Sequence, residues 1–256
     1  PYGIIDPIEK MACIAKKGNI GFHVDSCLGG FLLPFVNNLK IKYDFMCDGV
    51  TSMSADLHKY GNCPKGVSLL LYKNKDYMHN QYFTQSDWPG GIYTTATMLG
   101  SRSGNVLVLT YATLLYYGVN GYKNKANKIL ETTKYIYEKI NKFDYITIIG
   151  SPRLNIIALK SKIIDIYNVS DKMKELGWHL NNLQYPPSIH LCVTSLHTEG
   201  TIKNEFISDL KTSIIYAKSK KSKQEDSSSI YGTSQTVSNR NIIKDVLYGY
   251  LDCIYS

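Results

Sequence analysis

The sequence predicts an α/β fold, with part of a sheet-containing large domain over residues 1–121 and a smaller α+β domain over residues 122–256. The first observation is a set of short apolar runs between turn residues, at residues 20–24, 49–55 and 67–72. Such runs are typical of strands buried in a sheet. The second observation is a long amphipathic segment from residue 122, after which strand and helix patterns alternate. Three strands with little to cover them indicate a larger sheet whose other strands lie elsewhere.

A helix is predicted just after the start of the chain. Asp6 can cap it, Pro7 suits its first position, and Glu9 can complete a capping box. Gly18 is expected to end it. The residues expected on its buried face are Ile8, Met11, Ala12 and Ala15.

Residues 87–104 form a predicted loop of small residues that includes one arginine, Arg102. The backbone N–H groups and hydroxyls of such a loop suit a phosphate. A helix is predicted over residues 105–117, inside a charge-free stretch, 103–122, that is long enough to raise the question of a membrane span. The glycines, asparagines and threonines of that stretch favour a helix buried in a large domain instead.

The rest of the chain predicts the small α+β domain, joined to the first domain by a bridging helix from residue 122. The expected elements are strands at 145–149, 155–159 and 189–196, and helices at 167–176, 203–217 and 237–254. The charged, serine-rich segment 218–229 is predicted to be a mobile loop.

Composition narrows the class of protein. The chain is 44% hydrophobic and 20% charged, as expected for a globular protein, and its formal net charge is +8. The lysines are dispersed among Asn, Ile and Tyr rather than clustered on a basic, aromatic face, so we predict no nucleic-acid partner, whereas an anionic substrate or a membrane surface is compatible. The six cysteines are scattered without a C-x-x-C motif, which indicates free thiols and no metal site. Because the chain starts at Pro1, we expect it to be incomplete or processed.

Three features suggest a chemistry when they are combined. Asp25 ends one predicted strand, His58-Lys59 follows another, and the small-residue loop with Arg102 comes later. Pyridoxal 5'-phosphate needs a lysine for a Schiff base, a carboxylate for its ring nitrogen and donors for its phosphate. Taken singly, Lys59 is more typical of a solvated loop, and Asp25 is as typical of a cap or a turn as of a ligand contact. Together they predict a site for this cofactor.

The motifs that carry these residues resemble a known family. Residues 23–31 (HVDSCLGGF), 52–61 (SMSADLHKYG) and 64–66 (PKG) resemble the group II pyridoxal-phosphate-dependent decarboxylase family. Within it, further motifs resemble the lyases that act on phosphorylated long-chain bases rather than the amino-acid decarboxylases; these are residues 87–93, 100–102, 184–190 and 230–232. The resemblance covers essentially the whole chain and implies fold type I, the aminotransferase-like fold.

The resemblance implies roles around the cofactor ring. Lys59 would form the Schiff base, and Asp25 would pair with the pyridine nitrogen. Cys27 would pack on one face of the ring, and Ser54 would assist near it. His58 would bind the cofactor phosphate. Ser26 stands where the family has alanine, which is a small departure.

Further roles are implied at the edge of the site and in a partner subunit. Gly100 and Ser101 would reach a cofactor phosphate in the other subunit of a homodimer. Lys65, Tyr72 and Arg102 would handle the substrate.

The reaction implied is cleavage of the C2–C3 bond of a long-chain base phosphate such as sphingosine 1-phosphate. Its products are phosphoethanolamine and a long-chain aldehyde, which places the enzyme in sphingolipid catabolism on the cytosolic face of the endoplasmic reticulum membrane. An amino-acid decarboxylase of the same family, or a catalytically incomplete fragment, is the alternative. The family's Gly/Thr phosphate loop, its second ring-stacking residue and its N-terminal membrane anchor have no match here. We therefore expect that this chain alone does not form a full active site.

Overall fold

The computed structural model describes residues 1–36, 41–151, 154–220, 237 and 239–255. The chain divides into two compact units. The N-terminal unit is Ile5–Asn127, and the C-terminal unit is Pro1–Ile4 together with Lys128–Ser256. The predicted domain boundary at residues 121 and 122 stays a prediction. Beyond Lys220, the predicted mobile loop lies outside the described residues, as does the 230–232 motif.

The N-terminal unit opens with helix α1, Ile8–Lys17, which ends at Gly18 as predicted. Its buried face consists of Ile8, Ala12 and Ala15. Met11, also predicted there, is 42% exposed. The predicted capping box is wrong, because Pro7 occupies the N-cap position and Asp6 contributes only its backbone carbonyl, which accepts from the Ile8 N–H at 2.8 Å.

Three strands form the sheet of this unit: β1, β2 and β3, at His23–Asp25, Ser52–Ala55 and Leu69–Tyr72. They lie in that order, with β1 and β2 parallel and β2 and β3 antiparallel. Val24 lies beside Met53 and both are buried, so this face of the sheet packs into the unit. Each strand is shorter than its apolar run in the sequence.

A short helix and a hairpin follow that the sequence did not predict. They are α2, β4 and β5, at Lys75–His79, Phe83–Gln85 and Tyr93–Thr95. Strands β4 and β5 are antiparallel, with Phe83 opposite Thr95. The hairpin turn includes Gly91, whose φ of 109° lies in the region that favours glycine. Part of the predicted loop 87–104 is therefore strand.

Helix α3, Gly104–Ile140, contains a break at Gly118, where φ is 54° and ψ is −178°. The break separates the two helices that were predicted before and after residue 120. The prediction that the first of them is buried is wrong for this structure, since it exposes a series of large apolar side chains: Leu107, Val108, Leu109, Tyr111, Leu115 and Tyr116. Among the described residues, no helix is long and apolar enough to cross a membrane.

A small core supports the loop after β2. It consists of Leu57, Cys63 and Val67, against which Phe31, Val106 and Leu114 pack. Tyr122 of α3 is buried, and its hydroxyl donates to the Gly61 carbonyl oxygen at 2.8 Å. Burial raises the pKa of Tyr122 to about 12. This hydrogen bond ties α3 to the loop in which Lys59 lies.

The C-terminal unit contains a four-stranded antiparallel sheet with the order β6-β7-β9-β8. Its strands β6 to β9 are Thr147–Ile148, Ile156–Lys160, Asn181–Leu183 and Ser188–Cys192. Its helices α4 to α6 are Ile166–Glu175, Ile202–Ser219 and Arg240–Tyr255. Asp165 caps α4 by accepting from the Tyr167 N–H at 2.9 Å. Apart from β8, these elements were predicted.

Candidate active site

The register of β1 and β2 places four polar side chains on one face of the sheet. His23 lies beside Ser52, and Asp25 lies beside Ser54. Since neighbouring residues of parallel strands point to the same side and side chains alternate along a strand, all four point away from the buried Val24. The sheet therefore presents a polar face at the carboxyl ends of its two parallel strands.

Asp25 is the acid of this face. Its Oδ1 accepts from the Cys27 N–H at 2.9 Å and from the Ser54 hydroxyl at 3.2 Å. The Cys27 side chain contributes most to a lowered pKa of Asp25, followed by the Cys27 N–H. The Ser54 hydroxyl and the nearby charge of Lys59 lower the pKa further. Asp25 is therefore a persistent carboxylate, and its side chain is exposed.

His23 joins the two serines of β2. Its Nδ1 lies 2.8 Å from the Ser52 hydroxyl oxygen and its Nε2 lies 3.3 Å from that of Ser54. The ring thus orients the hydroxyl that also donates to Asp25.

The turn after β1 is held against the end of β2. The Asp56 N–H donates to the Cys27 carbonyl oxygen at 3.2 Å. Gly30 lies so close that a Cβ there would be 2.6 Å from the Ala55 Cβ, so the position accepts only glycine without movement. The Cys27 Sγ is 3.4 Å from the Ser54 hydroxyl oxygen. Burial, followed by the bond to Asp25, raises the pKa of Cys27, so this thiol is a neutral, polarisable surface.

Lys59 is paired with a buried carboxylate. Its Nζ lies 2.7 Å from the Asp56 Oδ2, and the side chains of Lys59 and Asp56 are 37% and 10% exposed. The other oxygen of Asp56 accepts from the Ser68 hydroxyl at 2.5 Å. The hydrogen bond to Asp56 raises the pKa of Lys59.

His58 points towards the start of β3. Its Nδ1 lies 2.6 Å from the Val67 carbonyl oxygen. Because a carbonyl only accepts, Nδ1 carries the hydrogen, and Nε2 is the nitrogen left to meet a ligand. That Nε2 is 3.8 Å from the Asp56 Oδ2, too far for a hydrogen bond.

The remaining predicted residues lie outside this cluster. Lys65 is exposed in the turn before β3, and the Tyr72 hydroxyl donates to Gln81 at 2.7 Å. Gly100 and Ser101 are exposed after β5, and Arg102 donates to the Thr97 hydroxyl at 2.5 Å. Within the part of the chain that the structure describes, no hydrogen bond or ion pair joins these residues to Asp25 or Lys59. Their predicted roles stay predictions.

The cluster fits pyridoxal phosphate by its donor set. Asp25 is an exposed carboxylate with a lowered pKa, which is the kind of group that a protonated pyridine nitrogen requires. Lys59 supplies the amine, Cys27 a neutral surface, and His58 a ring nitrogen for the phosphate.

Asp56 and Ser68 belong to this cluster, although the sequence analysis did not predict them as site residues. Asp56 lies within the SMSADLHKYG motif, three residues before Lys59, but no role was given to it. A carboxylate three residues before a lysine is a signal for an ion pair only if the backbone turns between them, which the loop before Gly61 does. No pattern in the sequence indicates that Ser68 contacts Asp56, because that contact depends on the antiparallel pairing of β3 with β2.

Comparison with known proteins places the chain in a family. The model of the pyridoxal-dependent decarboxylase conserved domain matches residues 2–162. Sphingosine-1-phosphate lyase 1 of Rattus norvegicus is 40% identical over 261 residues, which cover 100% of this chain and 46% of the relative. Sphingosine-1-phosphate lyase of Drosophila melanogaster is 40% identical over 259 residues, covering 100% of this chain and 48% of the relative. The chain thus spans about half the length of the curated relatives that it matches.

Solved structures agree with the predicted fold. The sphingosine-1-phosphate lyase of Burkholderia pseudomallei K96243 superposes with a TM-score of 0.82 at 38% identity, covering 86% of this chain and 51% of that one. The glutamate decarboxylase of Lactobacillus brevis has a TM-score of 0.73 at 22% identity, covering 87% and 54%, and bears on the fold alone. The predictions of fold type I and of pyridoxal phosphate as the cofactor are confirmed. The chain belongs to the pyridoxal-dependent decarboxylase family.

Proposed function

We propose that the protein is a pyridoxal-phosphate-dependent lyase that cleaves the C2–C3 bond of a phosphorylated long-chain base. The products are phosphoethanolamine and a long-chain aldehyde. The observation that carries this proposal is the 36–40% identity, over essentially the whole chain, to curated sphingosine-1-phosphate lyases. The structurally similar amino-acid decarboxylase, that of Lactobacillus brevis, is only 22% identical to this chain.

The cofactor supplies, when bound, a conjugated ring that takes up the electron pair of the broken carbon–carbon bond. Lys59 would be the amine that holds the cofactor through its carbonyl carbon. Asp25 would favour a proton at the ring nitrogen, because a carboxylate with a lowered pKa stabilises the protonated form of its partner. Cys27 would offer a neutral thiol to the ring, and His58, with Nδ1 bound to the Val67 carbonyl oxygen, would offer Nε2 to the phosphate.

We propose that the protein works as a homodimer in which Gly100 and Ser101 contact the cofactor phosphate of the partner subunit. The support is the exposed apolar surface next to this loop in sequence. Met98 and Leu99 precede it, and the first half of α3, with Leu107 and Leu115, follows it. Contiguous exposed apolar surface is characteristic of an interface.

The substrate roles of Lys65, Tyr72 and Arg102 belong to the same proposal, and so does association with the endoplasmic reticulum membrane through a segment outside this sequence. Family resemblance supports the membrane association. The exposure of Lys65 and Arg102 suits contact with an anionic headgroup.

We also propose that these 256 residues alone give little turnover. Asp25 and Lys59 are open to solvent, whereas a site that stabilises charge during a reaction excludes water. The walls that close the site would come from the other half of the enzyme. Robust lyase turnover by the isolated chain would contradict this.

The test uses the full-length protein loaded with cofactor. A long-chain base phosphate should yield an aldehyde and phosphoethanolamine, measured by mass spectrometry. Lys59→Ala should abolish both the turnover and the visible absorbance of bound cofactor, while Lys75→Ala, at the exposed start of α2, should preserve them. Release of carbon dioxide from an amino acid, without aldehyde from the phosphorylated base, would assign the decarboxylase activity instead.

A further inference from the structure

Asp56 is a buried carboxylate with no assigned role in the cofactor chemistry. Only 8% of the residue is exposed, and both of its carboxylate oxygens have partners. Oδ2 meets the Lys59 ammonium at 2.7 Å, and Oδ1 accepts from the Ser68 hydroxyl at 2.5 Å. A buried charge with both oxygens satisfied is held in one orientation.

Two backbone hydrogen bonds and the position of Ser68 hold Asp56 in place. Its N–H donates to the Cys27 carbonyl oxygen on the turn after β1, and its carbonyl oxygen accepts from the Lys59 N–H at 3.3 Å. Ser68 immediately precedes β3. Asp56 therefore connects the turn that follows Asp25, through its N–H, to Lys59 and Ser68, through its carboxylate.

The charges around Lys59 favour its protonated form. Burial tends to raise the pKa of Asp56, but the hydrogen bonds from Lys59 and Ser68 outweigh it, so the pKa of Asp56 is lowered. Lys59 has its pKa raised, by Asp56 first and by Cys27 and Asp25 to a lesser extent. His58 is a further titratable neighbour, with its Nε2 3.8 Å from the Asp56 Oδ2.

We propose that Asp56, braced by Ser68, is a positioning residue for Lys59, and that it holds the lysine's free amine in place as an ammonium whenever that amine is not covalently engaged. The proposal rests on the assignment of Lys59 as the cofactor lysine. Because the released amine remains tethered beside Asp25, it does not swing into solvent while substrate occupies the site. The ammonium is also a proton donor at a fixed position in the cluster.

The test measures the reactivity of the Lys59 amine, a readout that is independent of turnover. The full-length protein, stripped of cofactor, is labelled with trace acetic anhydride between pH 7 and 11, and each lysine is quantified by peptide mass spectrometry. In this reaction the neutral amine attacks the anhydride carbonyl, acetate leaves, and the amine proton passes to the buffer. Only unprotonated amine reacts, so the labelling profile follows the protonation of each lysine.

Asp56→Asn keeps the size of the side chain and removes its charge. We expect Lys59 to be labelled about two- to fivefold faster at pH 8, and its profile to move to lower pH, as loss of one ion pair predicts. Ser68→Ala should move the profile in the same direction by less, and Asp56→Glu should restore it in part. The matched control is Asp48→Asn, which removes the carboxylate paired with Lys16 and Lys73 and should leave Lys59 unchanged.

An unchanged Lys59 profile in both Asp56→Asn and Ser68→Ala would overturn the proposal. So would a rise in labelling by the same factor at every pH, since that reports exposure rather than protonation. The outcome is separate from the proposed lyase function. A protein that fails to cleave the phosphorylated base but shows the shifted profile keeps the positioning role, and an active lyase with an unshifted profile refutes it.

Discussion

Removal of the Tyr122 hydroxyl tests whether α3 holds the loop of Lys59 in place. Tyr122→Phe keeps the ring, which stacks 5.2 Å from the Phe35 ring, and deletes only the donor to the Gly61 carbonyl oxygen. Gly61 is buried, so its carbonyl loses a partner that water does not readily replace. The Cys63 thiol, with its Sγ 3.6 Å from the same oxygen, remains as a weak donor. The loss therefore falls in the range for an incompletely satisfied buried group, about 1–3 kcal/mol.

The assay is hydrogen exchange of the loop amides in the full-length protein, because local opening needs no assumption that the whole protein unfolds in one step. Two amides report on it, those of Asn62 and Cys63, which donate to the carbonyl oxygens of Lys59 and Leu57. A loss of about 1–3 kcal/mol corresponds to exchange that is about 5- to 150-fold faster at these amides.

Tyr117→Phe is the matched control. The Tyr117 ring lies 5.3 Å from the Tyr122 ring, and its hydroxyl makes no hydrogen bond to any described residue. This variant should change exchange in the loop by less than about twofold, as expected for a substitution that breaks no buried contact. Equal effects of the two variants would refute the role of the hydroxyl and leave only general loosening of the aromatic cluster.

Three further outcomes follow from the site and the exposed surface. Asp25→Asn should weaken cofactor binding at least about tenfold in a fluorescence titration, since the charge opposite the ring nitrogen is lost; unchanged affinity would remove Asp25 from that role. Ser54→Ala removes a donor that lowers the pKa of Asp25, so the acid limb of cofactor binding should move to higher pH, and a shift to lower pH would contradict the bond at 3.2 Å. If the full-length protein sediments as the proposed dimer, Leu115→Glu, on the exposed half of α3, should convert it to monomer. Lys123→Glu, beyond the break at Gly118, should not. A dimer that survives Leu115→Glu would exclude that face as the interface.

The sequence identified the two ends of the candidate site but not the contacts between them. Asp25 and Lys59 stood out because each follows an apolar run, and the strands that carry Asp25 and Ser54 lie side by side in the structure. The partners of each charge depended on geometry that residue patterns do not contain. Asp56 meets Lys59 only because the loop turns back, and Ser68 joins it only because β3 runs antiparallel to β2.

Burial was misjudged where an apolar pattern has no partner in the described chain. Residues 105–117 are apolar enough to predict a buried helix, and they do form a helix. One face of it packs through Val106 and Leu114, but most of its large apolar side chains face solvent. A pattern of apolar residues specifies that a face should be covered and does not specify which chain covers it. The separation of the two helices was easier to predict, because the composition changes near Asn120, close to the break at Gly118.

Exposure to water also limits how strongly the charges of this cluster interact. An ion pair such as that of Lys59 and Asp56 is worth about 0.2–1 kcal/mol when water reaches it. The same separation in a less polar surrounding interacts several times more strongly, because the attraction scales inversely with the local dielectric constant. The polar face of β1 and β2 therefore positions the charges, and whatever covers Asp25 and Lys59 determines how strongly they act on a bound cofactor.

The pH range of the Lys59–Asp56 pair follows from the directions of its two pKa shifts. Its contribution to stability is present above the ordinary pKa of an aspartate, about 4, and below that of a lysine, about 10. It decreases as the pH falls through the lowered pKa of Asp56 or rises through the raised pKa of Lys59. Between these limits both groups stay charged, so a bond from the Lys59 amine to a carbonyl carbon would require the ammonium first to give up a proton to a base or to solvent.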